Sequence, residues 1–166
     1  CTAFRDLVHG RTTSYDGAAP MRLLWEAPSV PLYLAAEGPR MMALAGELAD
    51  GVIFGNGISD EVVDANLAAV RDAARAAGRD PDEIEPWFLT KVVLSDEPEE
   101  AVWRRLAWTL AASANHAFLF TFAGKHVPAE LEEPLRRLMA SYRSHEHNQV
   151  DAPDHNAALV NDNGLT

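Results

Sequence analysis

The sequence predicts an α/β fold in which parallel strands alternate with helices. Apolar runs of strand length recur along the middle of the chain, and each is followed by a stretch whose apolar residues have helical spacing. Short turns rich in Gly, Pro and Asp separate the two kinds of segment. With 166 residues, of which 48% are hydrophobic, the chain is long enough to bury a core.

The first predicted strand–helix unit begins at Val30. The run VPLYLAA at residues 30–36 is continuously apolar, as is typical of a strand covered on both faces. Gly38 and Pro39 then begin a helix, because proline is favoured at the first helical position. We predict that Gly51 ends this helix in the left-handed conformation.

Two further units follow the first. The run VIFG at residues 52–55 is the second predicted strand, and the helix after it begins at Ser59. The run WFLTKVVL at residues 87–94 is the third predicted strand, followed by a helix capped by Ser95 or Asp96. Helices between consecutive strands imply a parallel sheet with right-handed crossovers.

The two ends of the chain are less regular than its middle. Residues 1–29 are mixed in character and are predicted to be a connector, and residues 128–145 have the pattern of a trailing helix. From residue 146 to residue 166 the chain is polar, and we expect a long surface segment there.

A histidine-rich stretch near the C-terminal end is the only candidate metal site. Its possible ligands are His145, His147, Asp151, Asp154 and His155. A single polar loop rarely fixes the geometry of a metal ion, so we predict a solvated linker and no metal site.

Composition limits the class of partner. Acidic residues outnumber basic ones 25 to 14, for a formal charge of −11, which argues against nucleic acid and anionic membrane surfaces as partners. No segment approaches the ~20 apolar residues of a membrane span. The single cysteine, Cys1, fits the reducing cytoplasm, and we predict a cytoplasmic protein.

The turn at residues 37–40 is the candidate ligand site. In parallel α/β folds, ligands bind at the carboxyl ends of the strands, where Gly38 permits close approach and a helix start favours an anion. Arg40 adds a positive charge, and the loop at residues 55–57 follows the next strand on the same rim. Glu37 opposes an anion unless its carboxylate turns outward. Since Gly-Pro is also ordinary helix punctuation, the spacing alone leaves both interpretations open.

The run VPLYLAAEGPRMMALAGELADGVIFG at residues 30–55 resembles the luciferase-like monooxygenase family, and most of all its methylenetetrahydromethanopterin reductase-like branch. Flavin- and deazaflavin-dependent members carry Ala-Ala-x-Gly-Pro, a helix with Leu-Ala-Gly, and Ala-Asp-Gly-Val-Ile. The resemblance implies a (β/α)₈ barrel that binds FMN or coenzyme F420 and acts as an oxidoreductase or monooxygenase on a small molecule. It implies that the cofactor contacts Glu37, Gly38, Pro39, Arg40, Met41, Gly55, Asn56 and Gly57.

The resemblance implies a partial TIM barrel made of the last three or four strand–helix units. Residues 30–145 would be its C-terminal half, residues 1–29 would connect to a missing N-terminal half, and residues 146–166 would lie on the surface. A complete barrel takes about 250 residues. We therefore expect an internal fragment or a natural truncation that is inactive alone, with its unknown catalytic residues in the missing half.

The partial barrel also suggests how the chain associates. A partial sheet exposes edge strands, so we expect the chain to form a homo-oligomer or to pair with the missing half of the barrel. The alternative hypothesis is a non-catalytic half-barrel that serves as a binding or dimerisation module. The sequence does not distinguish FMN from coenzyme F420, because both present a phosphate to the same turn.

Overall fold

The computed structural model describes residues 1–24, 30–146 and 155–165. The chain divides into two compact units, Cys1–Leu89 and Thr90–Thr166. Each unit has a hydrophobic core of its own. The predicted domain boundaries at residues 29 and 145 refer to a longer barrel, and they stay a prediction.

The first unit contains a three-stranded parallel sheet in the order β1-β2-β3. A helix connects β1 to β2, and a longer helix with a short 3₁₀ turn connects β2 to β3, which confirms the predicted parallel α/β organisation. The elements are α1 (Thr2–Val8), β1 (Tyr33–Ala35), α2 (Pro39–Leu48), β2 (Gly51–Phe54), α3 (Asp60–Ala76), the 3₁₀ turn (Pro81–Glu83) and β3 (Glu85–Phe88).

The core of this unit forms where α2 and α3 pack on each other and on the sheet. Gly46 of α2 makes the close approach possible, because a Cβ there would lie 2.4 Å from the carbonyl oxygen of Val70. Arg79 donates hydrogen bonds of 2.7 Å to the carbonyl oxygens of Gly46 and Ala49, which satisfies the free end of α2. The buried residues are Ala36, Met42, Ala45, Ala49, Val52, Phe54, Val70, Ala74 and Ile84.

The predicted strand at residues 87–94 is wrong in its limits, because β3 runs over Glu85–Phe88. The reason is the length of its neighbour: Phe88 pairs with Phe54, where β2 ends. The N–H of Leu89 still donates to the carbonyl oxygen of Phe54 at 2.8 Å, and β2 has no further residue to extend the ladder. Hydrogen bonding between the neighbouring strands β2 and β3 therefore determines where β3 ends, even though several of the residues after it are hydrophobic.

The predicted left-handed helix cap at Gly51 is also wrong. Gly51 is the first residue of β2, and α2 ends with Ala49 in an extended conformation. A Cβ on Gly51 would lie 2.1 Å from the ring of Tyr33 on β1. Glycine stands here because the neighbouring tyrosine packs across it, as often occurs where glycine interrupts a strand.

The second unit is built from three helices, α4 (Glu99–Phe118), α5 (Ala129–Ser141) and α6 (His155–Asp162). The predicted caps Ser95 and Asp96 do not begin α4, whose first flanking residue is Pro98. A proline disfavours helical conformation in the residue before it, so the helix cannot extend back through Glu97. The Ser95 hydroxyl instead accepts a hydrogen bond of 3.1 Å from the N–H of Glu97.

The described part of the predicted surface segment at residues 146–166 contains a packed helix, so that prediction is wrong over α6. Leu159 is 7% exposed and Val160 is 1% exposed, and both join the core formed with α4 and α5. Asn156 accepts from the N–H of Arg143 at 2.9 Å and donates to its carbonyl oxygen at 3.0 Å. In the described parts of the chain, no helix is long and apolar enough to cross a membrane.

Candidate functional site

Two loops meet at the carboxyl ends of β1 and β2. The first loop leads from β1 into α2 through Glu37 and Gly38, and the second leads from β2 into α3 through residues 55–57. The strands are hydrogen-bonded neighbours, so their following loops are adjacent. We call residues 37–41 and 55–57 together the cradle, and it unites all eight residues predicted from the sequence.

Glu37 lies between the two loops of the cradle. Its side chain is half-buried, and a Cβ built on Gly55 would lie 2.5 Å from the Glu37 Oε1 atom. The carboxylate therefore packs directly over Gly55, and a side chain at position 55 would require the end of the Glu37 side chain to shift. The Glu37 carboxylate thus faces the second loop of the cradle.

The start of α2 supplies the hydrogen-bond donors on the other side of the cradle. Gly38 is the N-cap residue, and Pro39 follows in the first helical turn without an N–H. The N–H groups of Met41 and Met42 donate to the carbonyl oxygen of Gly38 at 3.1 and 3.0 Å. At this helix start, the N–H groups of Gly38 and Arg40 are the donors suited to an anion, and the Arg40 side chain is exposed beside them.

A buried pair of amide side chains supports the second loop. The Asn66 Nδ2 atom on α3 donates to the Asn56 Oδ1 atom at 2.9 Å. Asn66 is 0% exposed and Asn56 is 8% exposed. The Asn56 Nδ2 and Asn66 Oδ1 atoms are both buried and have no hydrogen-bond partner among the described residues.

Asn66 is the one residue of this arrangement that the sequence analysis missed. The fully buried face of α3 carries Val62, Asn66, Val70 and Ala74. These residues follow one another at intervals of four, which places them on one helix face. A polar side chain in the middle of such a series is the signal that identifies Asn66.

Replacement of Asn66 by Asp should lower the free energy of unfolding by about 1–3 kcal/mol, because the Nδ2 donor is lost and a carboxylate takes its place at a position that is 0% exposed. We expect the urea midpoint, followed by circular dichroism, to fall accordingly. The exposed Asn161 offers a matched control, and Asn161→Asp should leave the midpoint within the change produced by a surface substitution. Equal stability of the two variants would contradict the buried hydrogen bond.

The histidine-rich metal alternative receives no support from the described residues, which contain no group of three or more potential metal ligands. His147, Asp151 and Asp154 lie outside the described residues. The His155 ring contacts the carbonyl oxygen of Ser141 at 3.0 Å, and the His145 ring lies 3.5 Å from the Glu146 carboxylate.

The fold and the position of the cradle are those of a parallel α/β protein. The first unit is a parallel α/β structure in which the two loops of the cradle follow adjacent strands at their carboxyl ends, where α/β proteins commonly bind ligands. The chain belongs to the luciferase-like monooxygenase family, whose model matches residues 1–165. The family resemblance predicted from the sequence is thereby confirmed.

Known relatives agree with the predicted cofactor class. The F420-dependent glucose-6-phosphate dehydrogenase of Mycobacterium leprae is 30% identical over 122 residues, which cover 68% of this chain and 36% of the relative. The 5,10-methylenetetrahydromethanopterin reductase of Methanolobus tindarius is 32% identical over 87 residues, which cover 50% of this chain and 26% of the relative. The chain thus matches about a third or less of the length of these relatives.

A solved structure has a weaker likeness to this chain. It is the coenzyme F420 dependent tetrahydromethanopterin reductase from Methanopyrus kandleri, at 22% identity. The alignment covers 68% of this chain and 34% of that one, with a TM-score of 0.47.

Proposed function

We propose that the chain forms the cofactor-phosphate site of an oxidoreductase that uses coenzyme F420 or FMN and acts on a small molecule. The observation that carries this proposal is the parallel pairing of β1 with β2, which makes the two predicted loops neighbours at the carboxyl ends of these strands. Family membership supports the oxidoreductase class, and the names of relatives support coenzyme F420. The single cysteine is the basis for proposing a cytoplasmic location.

The residues of the cradle fit a cofactor phosphate. The start of α2 offers backbone donors, and the Asn56 Nδ2 atom is a buried donor without a partner among the described residues, while the Glu37 carboxylate occupies the space above Gly55. When bound, the cofactor supplies hydride transfer, or oxygen activation if it is reduced FMN. The chain's own contribution is to bind and orient the phosphate through Gly38 and Arg40. We assign no general acid or base to its residues.

We also propose that β1, β2 and β3 are neighbouring strands of a (β/α)₈ barrel. Their parallel order and the helices between them fit such a barrel, in which each strand is followed by a helix. β1 and β3 each have one neighbour in the described sheet, so further strands could pair with them. These strands would come from the rest of a longer protein or from a second copy of the chain.

Titration with coenzyme F420 and with FMN tests the proposal. We expect saturable binding, followed by the change in cofactor absorbance or fluorescence, and a rise in thermal stability. Because the ligand binds the folded state, a cofactor concentration 100 times the dissociation constant should stabilise the chain by about 2.7 kcal/mol. Riboflavin, which lacks the phosphate, is the matched control and should bind less tightly than FMN.

Sedimentation velocity on the same samples separates the proposal from the alternative module. Binding to the chain alone supports a cofactor site formed within this chain. Binding that occurs only in an assembled oligomer supports the binding or dimerisation module. If FMN and riboflavin bind equally well and coenzyme F420 does not bind, or if neither cofactor binds, the cradle is not a phosphate site and the proposal fails.

A further inference from the structure

The cradle contains a carboxylate where its other groups favour an anion. The Glu37 Oε1 atom packs over Gly55, while Gly38 and Arg40 on the same turn provide N–H donors and a positive charge. An anion that enters the cradle therefore meets attraction from the helix start and repulsion from Glu37. Asp60 and Glu61, in the first turn of α3, add two exposed acidic side chains after the second loop.

The size of this repulsion depends on the charge of the ligand. A phosphomonoester such as that of FMN carries close to two negative charges above pH 7. A phosphodiester, such as the one in coenzyme F420, carries one. Each additional unit of charge about 4 Å from a carboxylate changes affinity by about fivefold in bulk water and by more near a protein surface, since Coulomb energy is proportional to the product of the charges.

We infer that Glu37 determines which phosphate the cradle accepts, so that a singly charged phosphodiester is favoured over a doubly charged phosphomonoester. The inference rests on the proposed function and adds a specificity-determining residue to it. Gly55 contributes to the same selectivity, because any larger residue at position 55 would displace the Glu37 carboxylate. The position of the carboxylate over the second loop therefore depends on glycine at position 55.

Three ligands that differ only at the phosphate test the inference. They are riboflavin, FMN and the methyl ester of FMN, whose phosphodiester carries one charge. Dissociation constants are measured at pH 8 by flavin fluorescence for the original chain and for Glu37→Gln, which preserves the size of the side chain over Gly55. We expect the ratio of the FMN constant to the methyl ester constant to fall roughly tenfold in Glu37→Gln.

Glu47→Gln is the matched control. Glu47 is exposed near the other end of the same helix, so the identical change of charge there should leave the ratio unaltered. Arg40 and the helix start act on the ligands in both variants, so a change in the ratio reports Glu37 itself. Circular dichroism and the thermal midpoint establish that each variant is folded as the original chain is.

The outcomes separate the inference from the proposed function. If FMN binds more tightly than riboflavin but the ratio is the same in Glu37→Gln as in the original chain, the inference is wrong and the phosphate site stands. If the three ligands bind equally well, or none of them binds, the phosphate site itself is wrong and the inference falls with it. A ratio that falls equally in Glu47→Gln also overturns the inference, because the effect would then be one of net charge.

Discussion

Gly38→Leu should weaken the binding of FMN and coenzyme F420 at least about 100-fold while the fold is retained. Gly38 caps α2, where a side chain would occupy the space through which a phosphate reaches the helix start. Loss of two hydrogen bonds to a charged group costs about 3 kcal/mol or more, and each 1.4 kcal/mol corresponds to a tenfold change in affinity. Equilibrium dialysis with each cofactor measures the effect.

The backbone at Gly38 makes this substitution a clean test of ligand approach. Its φ of −151° and ψ of 163° are extended values that any residue adopts, so leucine introduces no backbone strain. Leucine is a poorer N-cap than glycine, and the expected loss of stability is no more than about 1 kcal/mol. Glu47→Leu places the same side chain near the opposite end of α2 and should leave binding intact. Unchanged affinity in Gly38→Leu would count heavily against the proposed function.

Gly46→Ala should lower the free energy of unfolding by about 2 kcal/mol. The new Cβ would lie 2.4 Å from the Val70 carbonyl oxygen, 2.6 Å from the Ala73 Cβ and 2.9 Å from the Ala74 nitrogen. Two of these are backbone atoms, so no rotamer change relieves the contact, and α2 and α3 must separate. The better helix propensity of alanine offsets about 1 kcal/mol of this cost.

Urea denaturation followed by circular dichroism measures this effect. Glu47→Ala is the control on the same helix, since Glu47 is exposed and its replacement should change stability by no more than about 0.5 kcal/mol. A Gly46→Ala variant as stable as the original chain, or more stable, would show that the α2–α3 contact is looser than described. The same separation would lengthen the hydrogen bonds that Arg79 makes to the end of α2.

The candidate site was predicted in part from the sequence, and the particular residues show why. The positions of Gly38 and Gly55 followed from where strands give way to helices, which is a local property of the chain. Asn66 did not, because its part in the site is a hydrogen bond to Asn56 across two elements. The direction of the Glu37 side chain likewise depends on the neighbouring loop, whose glycine leaves the space that the carboxylate fills.

The amino-acid sequence by itself determined the order and kind of the elements from residue 30 to residue 88, together with the family to which the chain belongs. Apolar periodicity and a Gly-Pro pair at a helix start are patterns within a few neighbouring residues, so they can be recognised in the sequence without knowledge of the fold. Only the tertiary structure showed where β3 ends and why position 51 is occupied by glycine. It also showed that α6 packs into a core through Leu159 and Val160. Each of these depends on a partner strand, ring or helix distant in sequence, and contacts of that kind form only when the chain folds.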